Sequence, residues 1–517
     1  MFLATKEARP RSYHHVAGIE INMIILEADA LLVDGELPQE ARRQLEQHYL
    51  PVYLVQRRWF AGKNSRRPTV KITNVFPTAA KDGPILMVFR TEGNTPQSYF
   101  MPVGVKQTAD EAAPFICEIK MGSVSGYLVD ALEDDDLLQQ LVSNLERAAV
   151  DGSEIDFGLC LERKPGFPSK DARQIRRIGA EQSNSSMRFG ASILKAYRRL
   201  QPGIQPELEL GRFLSGPAKY ANAPKVVGSL EIRASEPVTL CLFQEAIENI
   251  GDAWKVTCGL LERLTEHGAS REEAISQLVA LADRLGDRTA RLHNALGSGA
   301  EAGFSSERIR PEDAKNWVHD ICLSATRVLD QLAEHPGELS RRLVAQREDV
   351  IAEIRELSNV QAQGQKIRLH GDLHLGQVLV TADDLYIIDF EGEPLRPLEQ
   401  RREKFSPMKD IAGLLRSFDY ARAATESQVV GIAGADISGI VEQVKQTFWN
   451  SYIARAAALV GDLKDAKKML RMFLYEKTFY EIEYELANRP GWIDIPVSDA
   501  LVLLTEDIRL RRDAMVH

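Results

Sequence analysis

The chain has 517 residues, enough for two or three domains with ample core, and its 44% hydrophobic and 27% charged composition is ordinary for a globular protein. A net charge of −10 argues against nucleic acid or an anionic membrane as the main partner, although a local cluster of cations can still hold an anionic nucleotide. The five cysteines (Cys117, Cys160, Cys241, Cys258 and Cys322) are odd in number and lack CxxC spacing, so they are expected to be plain or buried thiols. No window approaches 18 uninterrupted apolar residues and the N-terminus has no secretory apolar stretch, so the expected location is cytoplasmic, with no membrane partner.

Residues 1–22 are polar, carry adjacent His14 and His15, and read as a flexible leader. Over 38–55 the apolar positions Leu45, Tyr49, Val52 and Val55 predict a helix, or two pieces interrupted by Pro51. The basic stretch 56–64 around Trp59 and Phe60 is expected to anchor a turn. Strands are predicted at 70–76, 85–90, 99–103 and 115–121, giving a small α+β domain without catalytic signals of its own. Residues 126–148, with Leu128, Leu132, Leu137, Leu138, Leu141 and Leu145, predict a helix.

A strand at 176–180, a polar loop at 181–186 and a strand at 187–189 follow; past the Gly190 turn, 192–197 is a third strand with one buried-looking lysine, Lys195. The N–H groups and hydroxyls of Ser183, Asn184, Ser185 and Ser186 could receive phosphate, and Lys195 could reach the same phosphates. Fourteen residues on, the short helix 206–214 offers a carboxylate for that lysine, Glu209 in preference to Glu207, which lies nearer the helix start. A further strand occupies 238–244. Residues 252–291 read as helix, with Leu278, Leu281, Leu285 and Leu292 at helical spacing. The glycines of 297–303 follow a helix, with the third one position late for a dinucleotide fingerprint, and read as a linker. Residues 311–357 are helical, as two antiparallel helices broken near Pro336 and Gly337.

The chemistry concentrates in residues 370–394. Asp372 follows His370-Gly371, an amide (Gln377) comes five positions later, and Asp389 ends an apolar run 17 residues past Asp372. Phosphoryl transfer of the protein-kinase kind needs those groups in that order: one carboxylate to accept the proton of the attacking hydroxyl, then an amide and a second carboxylate to hold metal ions on the phosphates. Two apolar runs, 377–380 and 385–388, flank Thr381-Ala382-Asp383-Asp384 and predict a β-hairpin, which sets Gln377 or Gly376 opposite Asp389 according to register. In such a site the residues after the 238–244 strand would form a hinge whose backbone, at Gln244 and Ala246, reads an adenine edge. Ser406 and Pro407 are expected to start a helix, from which Asp410 either ties back to the catalytic loop or simply favours the helix dipole. In the helix 469–488, Tyr475, Phe479, Ile482 and Leu486 form a core stripe, while Lys477, Tyr480, Glu481 and Tyr484 form either a solvated face or the wall of a polar pocket.

Taken together, these residues resemble the bacterial maltokinases, most densely at 56–63, 181–186, 195–214, 370–394, 406–421 and 475–496, with Gln377 in a slot where relatives of this fold generally carry Asn. The resemblance implies an α+β, bilobal, eukaryotic-protein-kinase-like (aminoglycoside phosphotransferase-like) fold with an N-terminal α+β cap and a mostly helical C-lobe. The implied organisation is a leader (1–22), a cap (23–108), an N-lobe (109–246) and a C-lobe (247–517). It further implies transfer of the ATP γ-phosphate to the anomeric hydroxyl of maltose, with Asp372 as base, Gln377 and Asp389 as Mg²⁺ ligands, and Lys195 on the phosphates. His374, Lys477, Tyr480 and Tyr484 would line the sugar site. The expected partners are ATP and a small sugar, with the assembly a monomer or a dimer. Another acceptor, glucosamine, stays open, because Glu391, Glu393 and Glu481 could serve an ammonium group. A catalytically inactive binding module is disfavoured by the presence of Lys195, Asp372 and Asp389 together.

Overall fold

The computed structural model describes residues 23–516 except 27–29, 62–66, 79–82, 94–95, 109–113, 149–153, 156–157, 169–174, 180–183, 267, 301–302, 362–363, 395 and 429–435. The chain forms two compact units, one comprising residues up to Ile204 together with Val226–Ala246, the other Gln205–Lys225 together with residues from Ile247 onward. The leader and Ser183 fall outside the described residues.

The first unit contains two seven-stranded sheets among its described residues. The first sheet takes β1 (Ile24–Leu26), β2 (Thr69–Phe76), β3 (Ile85–Glu92), β4 (Gln97–Lys106), β5 (Phe115–Met121), β6 (Val124–Asp130) and β12 (Arg199–Leu200). One sheet therefore runs from 24 to 130, and a boundary at 108 would cut it between β4 and β5. Helices α1 (Gln39–Gln44) and α2 (Leu50–Leu54) are joined by a π-helical turn, Leu45–Tyr49, and pack their Leu45, Tyr49, Leu50 and Tyr53 on this sheet. Pro51 does not interrupt them. Lacking an N–H, it leaves the Gln47 carbonyl to Arg67, whose Nη2 donates to it at 2.7 Å. Trp59 and Phe60 pack on Tyr99 of β4 at ring separations of 6.0 and 5.2 Å.

The helix predicted from 126 begins later. Residues up to Asp130 belong to β6, Asp134 accepts from the Leu137 N–H at 3.0 Å, and α3 runs Asp135–Ala148. Leu128 and Leu132 are four apart, a spacing that satisfies the strand period of two as well as one helical turn.

The second sheet has the order β7 (Glu154–Ile155), β8 (Leu159–Arg163), β13 (Val226–Ile232), β14 (Val238–Glu245), β11 (Ser192–Tyr197), β10 (Asn184–Phe189), β9 (Ile175–Ile178). β11 matches the predicted strand residue for residue.

The second unit is mainly helical: α4 (Pro206–Ser215), α5 (Ala253–Glu262), α6 (Ala269–Leu296), α7 (Pro311–Leu332), α8 (Glu338–Ala345), α9 (Arg347–Glu356), α10 (Leu398–Arg401), α11 (Met408–Gln428), α12 (Ile437–Val460), α13 (Leu463–Asn488) and α14 (Asp494–Val516). The 311–357 region is three helices, not two, because the break at Pro336-Gly337 is followed by another at Gln346. Short strands β15 (Gly251–Asp252), β18 (Val378–Val380) and β19 (Leu385–Ile387) form a three-stranded sheet, and β16 (Glu307–Arg308) pairs with β17 (Gln365–Lys366). One apolar core joins these elements, with Leu373, Leu375, Val378, Ile387, Ile411, Leu414, Tyr475 and Phe479 all buried within it. The hairpin and the loop before it are thus set directly on the helical core. Among the described residues no helix is long and apolar enough to cross a membrane.

Candidate active site

The hairpin closes through Thr381 and Asp384: the Thr381 N–H donates to the Asp384 carbonyl, and the Asp384 N–H to Thr381 Oγ1, both at 2.9 Å. Its register pairs Val378 with Ile387, and the Ile388 N–H donates to the Gln377 carbonyl, so Gly376 falls opposite Asp389 along the backbone. The Gln377 side chain nevertheless reaches across, with Nε2 donating to Asp389 Oδ2 at 2.8 Å. Asp389 has φ of +66°, a left-handed conformation that costs a non-glycine residue about 1–3 kcal/mol and that clusters at functional sites.

The catalytic-type loop is held from behind. Asp410, buried in the first turns of α11, accepts the backbone N–H groups of His370 (2.9 Å) and Gly371 (3.0 Å). Its Oδ2 also lies 3.2 Å from His293 Nε2, and His293 Nδ1 lies 2.9 Å from the Tyr452 hydroxyl. Burial pushes the Asp410 carboxyl up, but His293, His370 and the backbone donor hold it below the usual carboxylate range. Asp410 thus ties back to the loop. His293 and Tyr452 were missed, although the signal was present: Leu281, Leu285, Thr289 and His293 step by four along α6, placing two polar groups on a buried stripe. The loop itself needs glycine at 371, where φ is +86°. At Gly413 a Cβ would stand 2.5 Å from the Leu373 carbonyl oxygen, so α11 lies directly against the loop.

Asp372 is paired with Lys477, Nζ to Oδ1 at 2.8 Å, and Lys477 stands 3.7 Å from Glu393 Oε1. Burial pushes the Asp372 carboxyl up, but the Lys477 ammonium, His374 and His370 outweigh it and hold it down to about 2. Desolvation would lower the Lys477 ammonium, yet Asp372 and Glu393 raise it above its ordinary range, so the pair stays ionised. The Lys477 ammonium lies 4.7 Å over the Tyr480 ring, and Arg489 stacks 5.4 Å over the more exposed Tyr484. His374 Nδ1 accepts the Gly376 N–H at 3.1 Å, and burial keeps the ring's pKa below the usual histidine range. Tyr475, Phe479 and Ile482 are buried on the other side of α13, the predicted core stripe.

Several expected positions are corrected. Glu209, expected to pair with Lys195, is instead occupied within its own unit, by Arg368 at 2.9 Å and Arg402 at 2.6 Å. Burial pushes the Glu209 carboxyl up, but those arginines pull it below its ordinary value. Glu207, almost fully buried, instead presents a carboxylate oxygen within 4.8 Å of Asp389 and of Glu391. Glu391 is thereby gathered with Asp389 and Glu207. Glu481 is held by Arg416, Nε at 2.9 Å and Nη2 at 2.7 Å. Asn184, Ser185 and Ser186 lie in β10 and not in a loop. Ser186 is opposite Lys195 on β11, and the Ser185 hydroxyl accepts Arg198 Nε at 2.8 Å. Lys195 is buried on β11. Gln244, next to last in β14, lies opposite Ile193, and the Ala246 N–H donates to the Ala191 carbonyl at 2.8 Å, so the backbone donor expected to read adenine at Ala246 is already used.

The phosphotransferase enzyme family matches residues 174–392, and the maltokinase N-terminal cap domain matches residues 53–134. A glucosamine kinase of Streptacidiphilus jiangxiensis is 25% identical over 419 residues, covering 79% of this chain and 89% of that protein. A glucosamine kinase of Mycolicibacterium smegmatis (strain ATCC 700084 / mc(2)155) is 27% identical over 344 residues, covering 66% of this chain and 82% of that protein. A solved glucosamine kinase structure superposes with a TM-score of 0.66 at 21% identity, covering 89% of this chain and 99% of the other. The chain is a phosphotransferase enzyme with the fold of these kinases, and it carries a maltokinase-type N-terminal cap domain.

Proposed function

We propose that the chain is an ATP-dependent sugar kinase that phosphorylates the anomeric hydroxyl of a neutral sugar, maltose, giving maltose 1-phosphate and ADP for α-glucan synthesis. The observation that carries the neutral acceptor is Lys477. Its ammonium lies 2.8 Å from Asp372 and 3.7 Å from Glu393, so it already neutralises two carboxylates that an amino sugar would use. Glu481, another carboxylate available for an amino sugar, is bound to Arg416. A second cation at this face would meet like charge in a partly dry site. The maltose assignment rests on the resemblance and on the maltokinase-type cap.

In this reading the sugar hydroxyl donates to Asp372 Oδ2, since Oδ1 is engaged by Lys477. A carboxylate held down to about 2 is a weak base. That suits a loose phosphoryl transition state, in which the protein mainly orients the hydroxyl and takes its proton late. Lys477 fixes Asp372 and offsets its charge, and His374, with Nδ1 occupied by Gly376, has Nε2 left to donate to a sugar oxygen. The gathered Asp389, Glu207 and Glu391 carboxylates are a hard, all-oxygen donor set that fits Mg²⁺, and Gln377, hydrogen-bonded to Asp389, would supply an amide oxygen if its side-chain amide turned over. A magnesium ion bound there would supply charge neutralisation on the ATP phosphates. Lys195 is assigned to the phosphates, beside Ser183, Asn184, Ser185 and Ser186, with Gln244 and Ala246 at the adenine, the latter through its carbonyl.

Glucosamine is the second reading, because the relatives above are glucosamine kinases. A coupled ADP-release assay against maltose, glucose, glucosamine and trehalose separates the two. Turnover of maltose well above glucosamine is expected; turnover of glucosamine with none on maltose would overturn the neutral-sugar reading.

A further inference from the structure

Helix α13 turns Lys477 toward Asp372, while Phe473 and Glu476, which also line the small cavity at Asp372, form the wall shared with a second cavity of about 280 Å³. Its floor is aromatic: Trp317 of α7 lies 5.6 Å from Phe405 and 5.5 Å from Phe473, ring centre to ring centre. Its mouth is polar, formed by the exposed side chains of Asp320, Gln400 and Glu403. The one cation in the lining, Arg396, is already committed: its Nη2 donates to Glu476 at 2.7 Å and its Nε to Glu393. Lys409 donates to both Glu476 oxygens at 2.7 Å, with its ammonium 4.6 Å over the Phe405 ring. Burial pushes the Glu476 carboxyl up, but Lys409 and Arg396 hold it down to about 2.

An aromatic floor with a rim of planar hydrogen-bonding groups suits a molecule with one apolar face and a hydroxylated edge, which a pyranose ring has. The volume lies just under the about 300–1,000 Å³ of small-molecule sites and suits one ring rather than two. The free charge at the mouth, from Asp320 and Glu403, is negative and repels phosphate esters and nucleotides. The cavity also has a route to the reaction centre. Arg396 bridges Glu476 to Glu393, Glu393 is 3.7 Å from Lys477, and Lys477 holds Asp372 at 2.8 Å.

We propose that this cavity is a second saccharide site, taking one unphosphorylated hexopyranose unit apart from the phosphoryl acceptor, and that its occupancy reaches Asp372 through Arg396, Glu393 and Lys477. The choice of saccharide as ligand rests on the sugar-kinase reading; the cavity and its charge do not.

The test is calorimetric titration of the full chain with maltose and, separately, with glucose 1-phosphate. The wild type is expected to show two classes of maltose site and no glucose 1-phosphate binding at the second. Gln400→Ala combined with Glu403→Ala, both at the exposed rim, should weaken one class about tenfold, the loss of one or two hydrogen bonds, and leave the other unchanged. Asp372→Asn should leave the Gln400-dependent class in place. Methyl α-glucoside, whose anomeric oxygen is blocked, should change kcat of the wild type and not of the rim variant. A single class of site in the wild type, or two classes both indifferent to the rim changes, overturns the proposal, as does a kcat response that survives in the rim variant. If no sugar releases ADP yet the Gln400-dependent maltose site persists, the kinase reading fails and the second site stands.

Discussion

Lys477→Met tests the centre of the proposed mechanism. Methionine keeps the length and much of the volume of the side chain while deleting the ammonium that sits 2.8 Å from Asp372. The fall of the Asp372 pKa from its ordinary 3.8 to about 2 corresponds to about 2 kcal/mol of stability. Because the folded value is depressed, that contribution is complete above about pH 4 and is lost as the pH falls through about 2. Without the ammonium, burial is left unopposed by its main counterweight, and the carboxyl should rise above its ordinary value. Two consequences are expected. Urea melts at pH 7 should show a loss of at least about 2 kcal/mol, and the acid limb of kcat/KM should move up from below pH 3 into the range above pH 4. A variant whose melting and pH profile both match the wild type would refute the assignment of Lys477 as the group that holds Asp372 ionised.

Asp372→Asn should lower kcat by about 10²–10⁴-fold while nucleotide binding, followed by fluorescence of a labelled ADP, is retained. Gln377→Asn withdraws the amide by one methylene from the 2.8 Å contact with Asp389, and the Mg²⁺ concentration for half-maximal rate should rise by about tenfold or more. Gly413→Ala forces a Cβ to within 2.5 Å of the Leu373 carbonyl, so it should cost about 1–3 kcal/mol in chemical melts and reduce kcat by displacing the loop. Asp410→Ala strands two backbone donors, the buried one of His370 and the half-buried one of Gly371, and should destabilise by about 2–3 kcal/mol, read as a lower Tm together with reduced activity.

What the sequence determined by itself was whatever depends on neighbours in the chain. The hairpin of residues 377–388, the strand carrying Lys195 and the buried stripe of α13 all follow from periods of two or about 3.6 residues and from turn-forming residues between them. The order Asp372, Gln377, Asp389 was legible for the same reason, since one hairpin brings its ends together and puts the Gln377 amide on Asp389. Where two periods agree, as with Leu128 and Leu132, the same residues misled, and a strand was taken for the start of a helix. By composition the serine-rich run 184–186 suits a loop, but pairing with β11 makes it a strand. Tertiary structure alone decided which groups meet across long stretches of chain. Lys477 joins Asp372 over 105 residues, His293 joins Asp410 over 117, and Arg402 takes Glu209 over 193. No local pattern encodes such partners. Glu207 and Glu209 are equivalent by spacing and differ only in which side of α4 meets Arg368 and Arg402, and which meets Asp389 and Glu391.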